Sequence, residues 1–248
     1  MNKRSLSLLL VPAGWLALFL LVPTVVLAVR SLGPEAARTL AEATTWMLLG
    51  RSFLIAAVAT VLCLGVSYPA ALFIAGCSAR WRNLLLFLVV LPFWTNLLVR
   101  TFALMFVLRP LGILYTEGAV ILGLVHSFLP FMILPLYVSI EKVPRRLLEA
   151  SQDLGASPWL TFWKVTVPLT MPGIAAGCLL VFIPILGIFA LPEFIGGTAV
   201  PMVGSQINHY FTRSDNPAAG SALTLLLMLF TIVLTGLYYR FRRTEGLA

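Results

Sequence analysis

Long stretches without a charged side chain constrain this sequence more than any other feature. The first extends from Ser5 to Val29 without one acidic or basic residue. Runs of about 18 or more apolar residues are typical of helices that cross a membrane. Charged residues make up only 10% of the chain, against about 25% in soluble domains. The sequence therefore predicts an integral membrane protein.

The apolar runs predict helices rather than barrel strands, because they are continuous and do not alternate with polar residues. We expect an all-α integral membrane protein with six transmembrane helices in a single domain, residues 1–248. The first run is too long for the apolar core of a typical signal peptide, so we expect it to be retained as a span. The six spans are predicted at about 8–29, 52–76, 84–108, 119–140, 169–191 and 218–239.

The distribution of basic residues predicts the orientation. If the N-terminus is inside, eleven of the 17 Lys and Arg residues fall on the inner side. Positive charge is enriched on cytoplasmic loops, so both termini are expected in the cytoplasm. Small residues in the spans would let helices approach closely. They include Gly65, Ala70, Ala71, Gly173, Gly177 and Gly187.

The cytoplasmic loop at about 141–168 is too polar to cross a membrane, and its pattern predicts a short amphipathic helix. Pro144 suits a first helical turn, and Gly155 suits the left-handed conformation that ends a helix. Leu147 and Leu148 would lie on the apolar side, with Glu149 and Asp153 at its edge. Two interpretations remain open: a helix resting on lipid headgroups, or a helix that docks into a groove of a cytoplasmic partner.

A specific pattern within this loop supports the docking interpretation. Glu149-Ala150-Ser151 is followed after three residues by Gly155, and then by Val165 and Val167-Pro168. This resembles the signature loop of bacterial ABC-importer permeases, with Ser151, Val165 and Val167 as mild exchanges. The resemblance implies the type I ABC-importer permease fold. It also implies that Glu149, Ala150 and Gly155 belong to a coupling helix that sits in a cleft of an ATPase subunit.

The resemblance extends beyond this loop to the spermidine/putrescine, or polyamine, permease branch. The segments that carry it are 91–101, 124–144, 149–184 and 192–197. Similar sequences are associated with other small organic cations, with aminophosphonates and with ferric iron. The outer loop at about 109–118 is shorter than is usual for the branch. Contacts that this loop makes with the substrate in other members of the branch are therefore not assigned to this chain.

The resemblance also implies a set of partners. A second permease subunit, related but not identical in sequence, would complete the pathway in a bacterial inner membrane. Two ATP-binding cassette subunits would bind ATP and Mg, and an external binding protein would deliver the substrate. No cofactor or metal site is expected in this chain, and its basic residues are interpreted as topology signals rather than as a nucleic-acid surface.

Polar or aromatic side chains in the outer half of the protein are candidates for the substrate pathway. Glu193, at the outer end of the fifth span, would attract a cation, although an interfacial position would also explain it. Trp94 could stack on an amine or simply pack between helices. Asn96 interrupts an apolar run and could face a cavity, while Trp46 is a weaker candidate of the same type. Arg100 is better explained by snorkelling or by an ion pair.

Two other functional classes fit the sequence less well. The chain has no Gly-rich phosphate loop of the kind that holds ATP phosphates, and no cluster of nucleophile, base and oxyanion donors that would indicate an enzyme. An ion-coupled carrier would need charged relays within the spans, and few are present. The three cysteines, Cys63, Cys77 and Cys178, match no metal-binding spacing.

Overall fold

The computed structural model describes the backbone of residues 3–245 and the side chains of residue 12 and residues 14–240. Within that range every regular element is helical. The helices are α1 (Lys3–Arg30), α2 (Pro34–Ala41), α3 (Ala43–Gly76), α4 (Ala79–Val90), α5 (Leu97–Leu108), α6 (Glu117–Glu141), α7 (Arg145–Asp153), α8 (Pro158–Thr161), α9 (Val167–Gly187), α10 (Val203–Thr212) and α11 (Pro217–Glu245). The side chains of Lys3, Arg4, Arg242 and Arg243, which contribute to the predicted charge bias, lie outside the described residues.

Among the described residues, four helical stretches are long and apolar enough to cross a membrane: α3, α6, the continuous run from α8 through α9, and α11. Two further spans require a bent pair of helices. α1 is bent by 84° from α2, and α4 with its following turn is bent by 98° from α5. The predicted count of six is confirmed when each bent pair is counted as one span.

The third span is broken rather than straight. A 3-10 turn (Leu91–Trp94) follows α4, and Thr95 is extended. Pro92 lacks the N–H that would continue the helix. The Asn96 side chain then accepts a hydrogen bond from the Leu98 N–H at 2.8 Å, which caps α5. The polar residues that interrupt this apolar run in the sequence therefore produce a sharp change of direction.

Two other spans differ from their predicted bounds. α3 has 34 residues, so it is about 50 Å long at 1.5 Å per residue, which is longer than a hydrocarbon core of about 30 Å. The fifth span begins before residue 169 and ends at Gly187, where Ile188 becomes extended. Residues 188–191 therefore do not continue that span, contrary to the prediction.

The core of the protein is the contact between α3, α6 and α9, and small residues make it possible. A side chain at Gly173 would place its Cβ 2.4 Å from the Ser139 Cβ, and at Gly177 2.6 Å from the Met132 sulfur. Ala71 is fully buried. Gly65 and Gly187 have open space around them in this chain, so the close-packing prediction is wrong for these two positions.

Polar side chains connect neighbouring spans at different levels along the helix bundle. At one end of the bundle, Arg51 of α3 forms an ion pair with Glu117 at the start of α6, with a shortest distance of 2.7 Å. Deeper in the protein, the Tyr68 hydroxyl is 2.7 Å from the Thr170 hydroxyl. At the opposite end, Arg82 pairs with Glu141 at 3.3 Å, which joins α4 to α6.

Candidate functional site

The predicted amphipathic helix is confirmed as α7. It begins after Pro144, which occupies the N-cap one position before the predicted first turn. It ends where Gly155 adopts φ +84°, the left-handed conformation that glycine accepts without the Cβ penalty of other residues. The Gly155 N–H donates to the Gln152 carbonyl at 2.8 Å. The helix is thus fixed at both ends by the residues that the sequence indicated.

The two leucines predicted to share one apolar side have different surroundings. Leu147 is 42% exposed and Leu154 is 89% exposed. Leu148 is half-buried and lines a cavity of about 400 Å³ together with Leu72 and Thr166. Leu148 therefore faces the body of the protein, whereas Leu147 and Leu154 face outward. Glu149, Ala150 and Asp153 are all exposed.

The α7 helix is attached to the spans by contacts with the following segment. The Ser151 hydroxyl is 3.0 Å from the Thr161 hydroxyl, which connects α7 to α8. Ser157 caps α8 by accepting from the Leu160 N–H at 3.3 Å. A π-helical turn (Phe162–Thr166) then continues without interruption into α9. α7 is therefore connected to the fifth span through α8 and this turn.

An aromatic group beside α7 was missed by the sequence reasoning. Trp159 and Trp163 are 70% and 53% exposed. The ring centroid of Phe162 lies 5.8 Å from that of Trp159 and 5.2 Å from that of Trp163. Tyr68 of α3 meets Phe162 edge-on at 5.5 Å. The spacing of three aromatic residues within five positions was the available signal for this exposed surface.

Glu193 lies in a π-helical turn (Pro192–Gly196) that follows the end of the fifth span. Its carboxylate is paired within the chain. Arg213 donates to Oε1 at 2.6 Å, and the Asn208 amide donates to Oε2 at 3.3 Å. The Glu193 side chain is 27% exposed and that of Arg213 is 65% exposed. The acid is therefore accessible but already neutralised by a cation of the same chain.

The other pathway candidates lie in separate local environments. Trp94 is 76% exposed and meets the Phe87 ring edge-on at 5.8 Å. Trp46 donates from Nε1 to the Leu40 carbonyl at 2.9 Å, so its indole is held by the end of α2. Asn96 is exposed and caps α5. Among the hydrogen bonds and ring contacts of the described residues, none joins two of the four candidates.

Arg100 lies one helical turn after Asn96. Its Nε is buried and has no hydrogen-bond partner among the described residues. None of the salt bridges among the described residues involves Arg100, so the ion pair suggested by the sequence is not formed there. On the same helix, the Phe102 ring lies 5.0 Å from that of Phe194, which connects the broken third span to the turn that carries Glu193.

The match to a known family assigns this arrangement of broken and continuous spans with a surface helix to a class of membrane transport protein. Residues 67–244 match the family described as "Binding-protein-dependent transport system inner membrane component". The chain belongs to this family, and it is a permease subunit of an ABC importer in the inner membrane.

Comparison with individual proteins agrees with that class. A bacterial alginate ABC transporter, solved in complex with an alginate-bound periplasmic protein, matches with a TM-score of 0.78. The match covers 98% of this chain and 95% of the other, at 14% identity, and thus concerns the fold alone.

Relatives of much higher sequence identity bear the name "Spermidine/putrescine transport system permease protein PotB". The protein from Haemophilus influenzae is 39% identical, with 96% of this chain and 94% of that protein covered. The protein from Escherichia coli is 40% identical, with 76% and 74% covered.

Proposed function

We propose that this chain is a membrane subunit of an importer for polyamines such as spermidine and putrescine. The observation that carries the proposal is the 39% identity to a spermidine/putrescine permease across 96% of this chain and 94% of that relative. A match of this extent includes every span and both candidate regions, rather than only the coupling loop that all importers of this class share.

Energy for transport would come from two ATPase subunits that bind ATP and Mg. Their docking site is α7, with Glu149, Ala150, Asp153, Leu147 and Gly155 at the contact and Leu148 anchoring the helix to its own chain. The exposed Leu147 and Leu154 support this assignment, because an amphipathic helix that enters a groove needs exposed apolar anchors. The left-handed Gly155 fixes where the helix ends.

The proposed orientation places both termini, α7 and the aromatic group beside it in the cytoplasm. A second, related permease subunit would face the broken third span, and an external binding protein would deliver the substrate at the outer side. Glu193, Trp94, Asn96 and Trp46 are proposed to line the outer part of the pathway. The exposure of Trp94 and Asn96 in the isolated chain supports this placement, because a lumen between two subunits requires residues that one subunit leaves uncovered.

Uptake of labelled putrescine and spermidine tests the substrate class. Cells would express the complete complex, and a matched strain would carry an ATPase subunit unable to hydrolyse ATP. We expect ATP-dependent uptake of at least one amine, with competition by unlabelled amine. A well-assembled complex that transports neither amine would contradict the polyamine proposal. It would direct the search to aminophosphonates, ferric iron or other organic cations.

A further inference from the structure

The carboxylate of Glu193 has a neighbour whose chemistry resembles that of the proposed substrate. Arg213 donates to Oε1 at 2.6 Å, while Asn208 donates to Oε2 at 3.3 Å. An ionised carboxylate offers about four acceptor positions, so these two contacts leave room for further donors. Glu193 is therefore a cation site that is occupied, within the chain itself, by a guanidinium group.

We propose that Arg213 is a tethered stand-in for the substrate cation, which holds Glu193 between transport cycles and is displaced by an ammonium group of the substrate. This inference rests on the proposed polyamine function. An ammonium group replaces both the charge and the hydrogen bond of the guanidinium, whereas a sodium ion replaces only the charge. The exchange would therefore favour organic ammonium ions over inorganic cations.

The position of Arg213 allows it to leave without disturbing the helix that carries it. It is the C-cap residue of α10, and the next residues, Ser214 and Asp215, are exposed. Its side chain is 65% exposed, and exposed ion pairs are weakened by solvent and by salt. Release of this contact thus requires rotation of one long side chain rather than movement of an element.

The rest of α10, in contrast, is held firmly against the spans. The Val203 N–H donates to the buried Ser52 hydroxyl at 2.9 Å. A Cβ at Gly204 would lie 2.5 Å from the Ile188 carbonyl oxygen and 2.7 Å from that of Gly187. Asn208 is part of this anchored helix. It can therefore keep its contact with Glu193 and orient the carboxylate while Arg213 is exchanged for substrate.

A purely structural role for the ion pair gives a different expectation, and two single substitutions separate the two. Glu193→Gln and Arg213→Gln remove the same ion pair. If that pair has only a structural role, both variants should lose similar amounts of uptake. If Arg213 is a stand-in cation, the two variants should differ in uptake, since only Glu193 contacts the substrate. Arg38→Gln removes an exposed cation from α2 and serves as the control for a general change of charge on the outer side.

Amine uptake and subunit co-purification are measured for each variant of the complete complex. We expect Glu193→Gln to lower uptake at subsaturating amine by at least about tenfold, as expected for a lost charged hydrogen bond. Arg213→Gln should keep the maximal rate and show a lower KM, because no internal cation competes. Equal losses in both variants, or loss in Arg213→Gln alone, would overturn the inference.

The charge-exchanged variant Glu193→Arg/Arg213→Glu provides a second measurement. It restores an ion pair, so assembly should be retained, but uptake should remain low because the carboxylate now lies on the wrong element. Uptake equal to that of the unmodified complex would overturn the inference. Failure of the polyamine proposal itself is distinguishable, since then the unmodified complex would transport neither amine.

Discussion

At the residue scale, the backbone of Gly155 determines where α7 ends. Its φ of +84° places it in a region that costs other L-residues about 1–2 kcal/mol. The turn also directs Ala156, whose N–H donates to the Ser151 carbonyl at 3.1 Å, and hence the start of α8. A residue with no side chain thus controls the position of a helix proposed to contact the ATPase.

Gly155→Val is expected to impair coupling without preventing insertion into the membrane. The branched side chain disfavours the left-handed turn, so α7 would end differently and co-purification of the ATPase should fall. Gly112→Val is the matched control, because Gly112 also has a positive φ of +67° but lies in the loop between α5 and α6. Equal ATPase stimulation in the Gly155 variant and the unmodified protein would contradict the docking assignment.

At the scale of elements, the crossing of α6 and α9 depends on a glycine. A Cβ at Gly173 would lie 2.4 Å from the Ser139 Cβ and 2.8 Å from the Pro135 carbonyl oxygen. One of these neighbours is backbone, so rotation of a side chain cannot relieve both contacts. The two helices would have to separate, and the separation would extend to Gly177, one turn further along α9.

Gly173→Ala is therefore expected to destabilise the protein by on the order of 1–3 kcal/mol, the usual cost of overpacking a core. Thermal unfolding in detergent, followed by size-exclusion chromatography, measures the effect as a lower Tm. Gly65→Ala is the control, since its Cβ would meet nothing within 4 Å and alanine favours a helix. A Tm unchanged in the Gly173 variant would show that the helices are not in close contact.

At the scale of the whole molecule, the two ends of the bundle have different chemistry. Leu154, Trp159 and Trp163 form an exposed apolar surface at one end. The other end carries the Arg51–Glu117 and Glu193–Arg213 ion pairs. Under the proposed orientation, which rests on the positive-inside pattern, the first end would lie in the cytoplasm and meet the ATPase, and the second would meet the binding protein.

Labelling of single cysteines tests this orientation. Leu154→Cys and Leu32→Cys would be introduced separately after the three native cysteines are replaced by alanine. These positions are 89% and 84% exposed, and they lie at opposite ends. A membrane-impermeant maleimide should label position 32 in intact spheroplasts and position 154 only in inverted vesicles. The reverse pattern would overturn the proposed orientation.

The sequence by itself determined the membrane class, the number of spans and the surface helix. The features responsible are local properties of the chain and do not depend on how distant segments pack. They are its hydrophobicity, its charge asymmetry and the spacing of Glu149, Gly155 and Pro168. Pro92 and Asn96 likewise indicated an interruption, since a missing N–H and a capping side chain affect only their own turn. The family was indicated by the resemblance of the loop that carries Glu149 and Gly155 to the signature loop of ABC-importer permeases.

Only the tertiary structure decided which side chains meet across the fold. Pro92 and Asn96 indicate a break in the third span, but the 98° angle of that break and the inward side of Leu148 were visible only in the folded chain. Arg213 lies 20 positions after Glu193, and no periodicity connects the two. Their contact exists because α10 returns against the end of the fifth span. The partner of the candidate carboxylate is therefore a property of the packed molecule rather than of any segment.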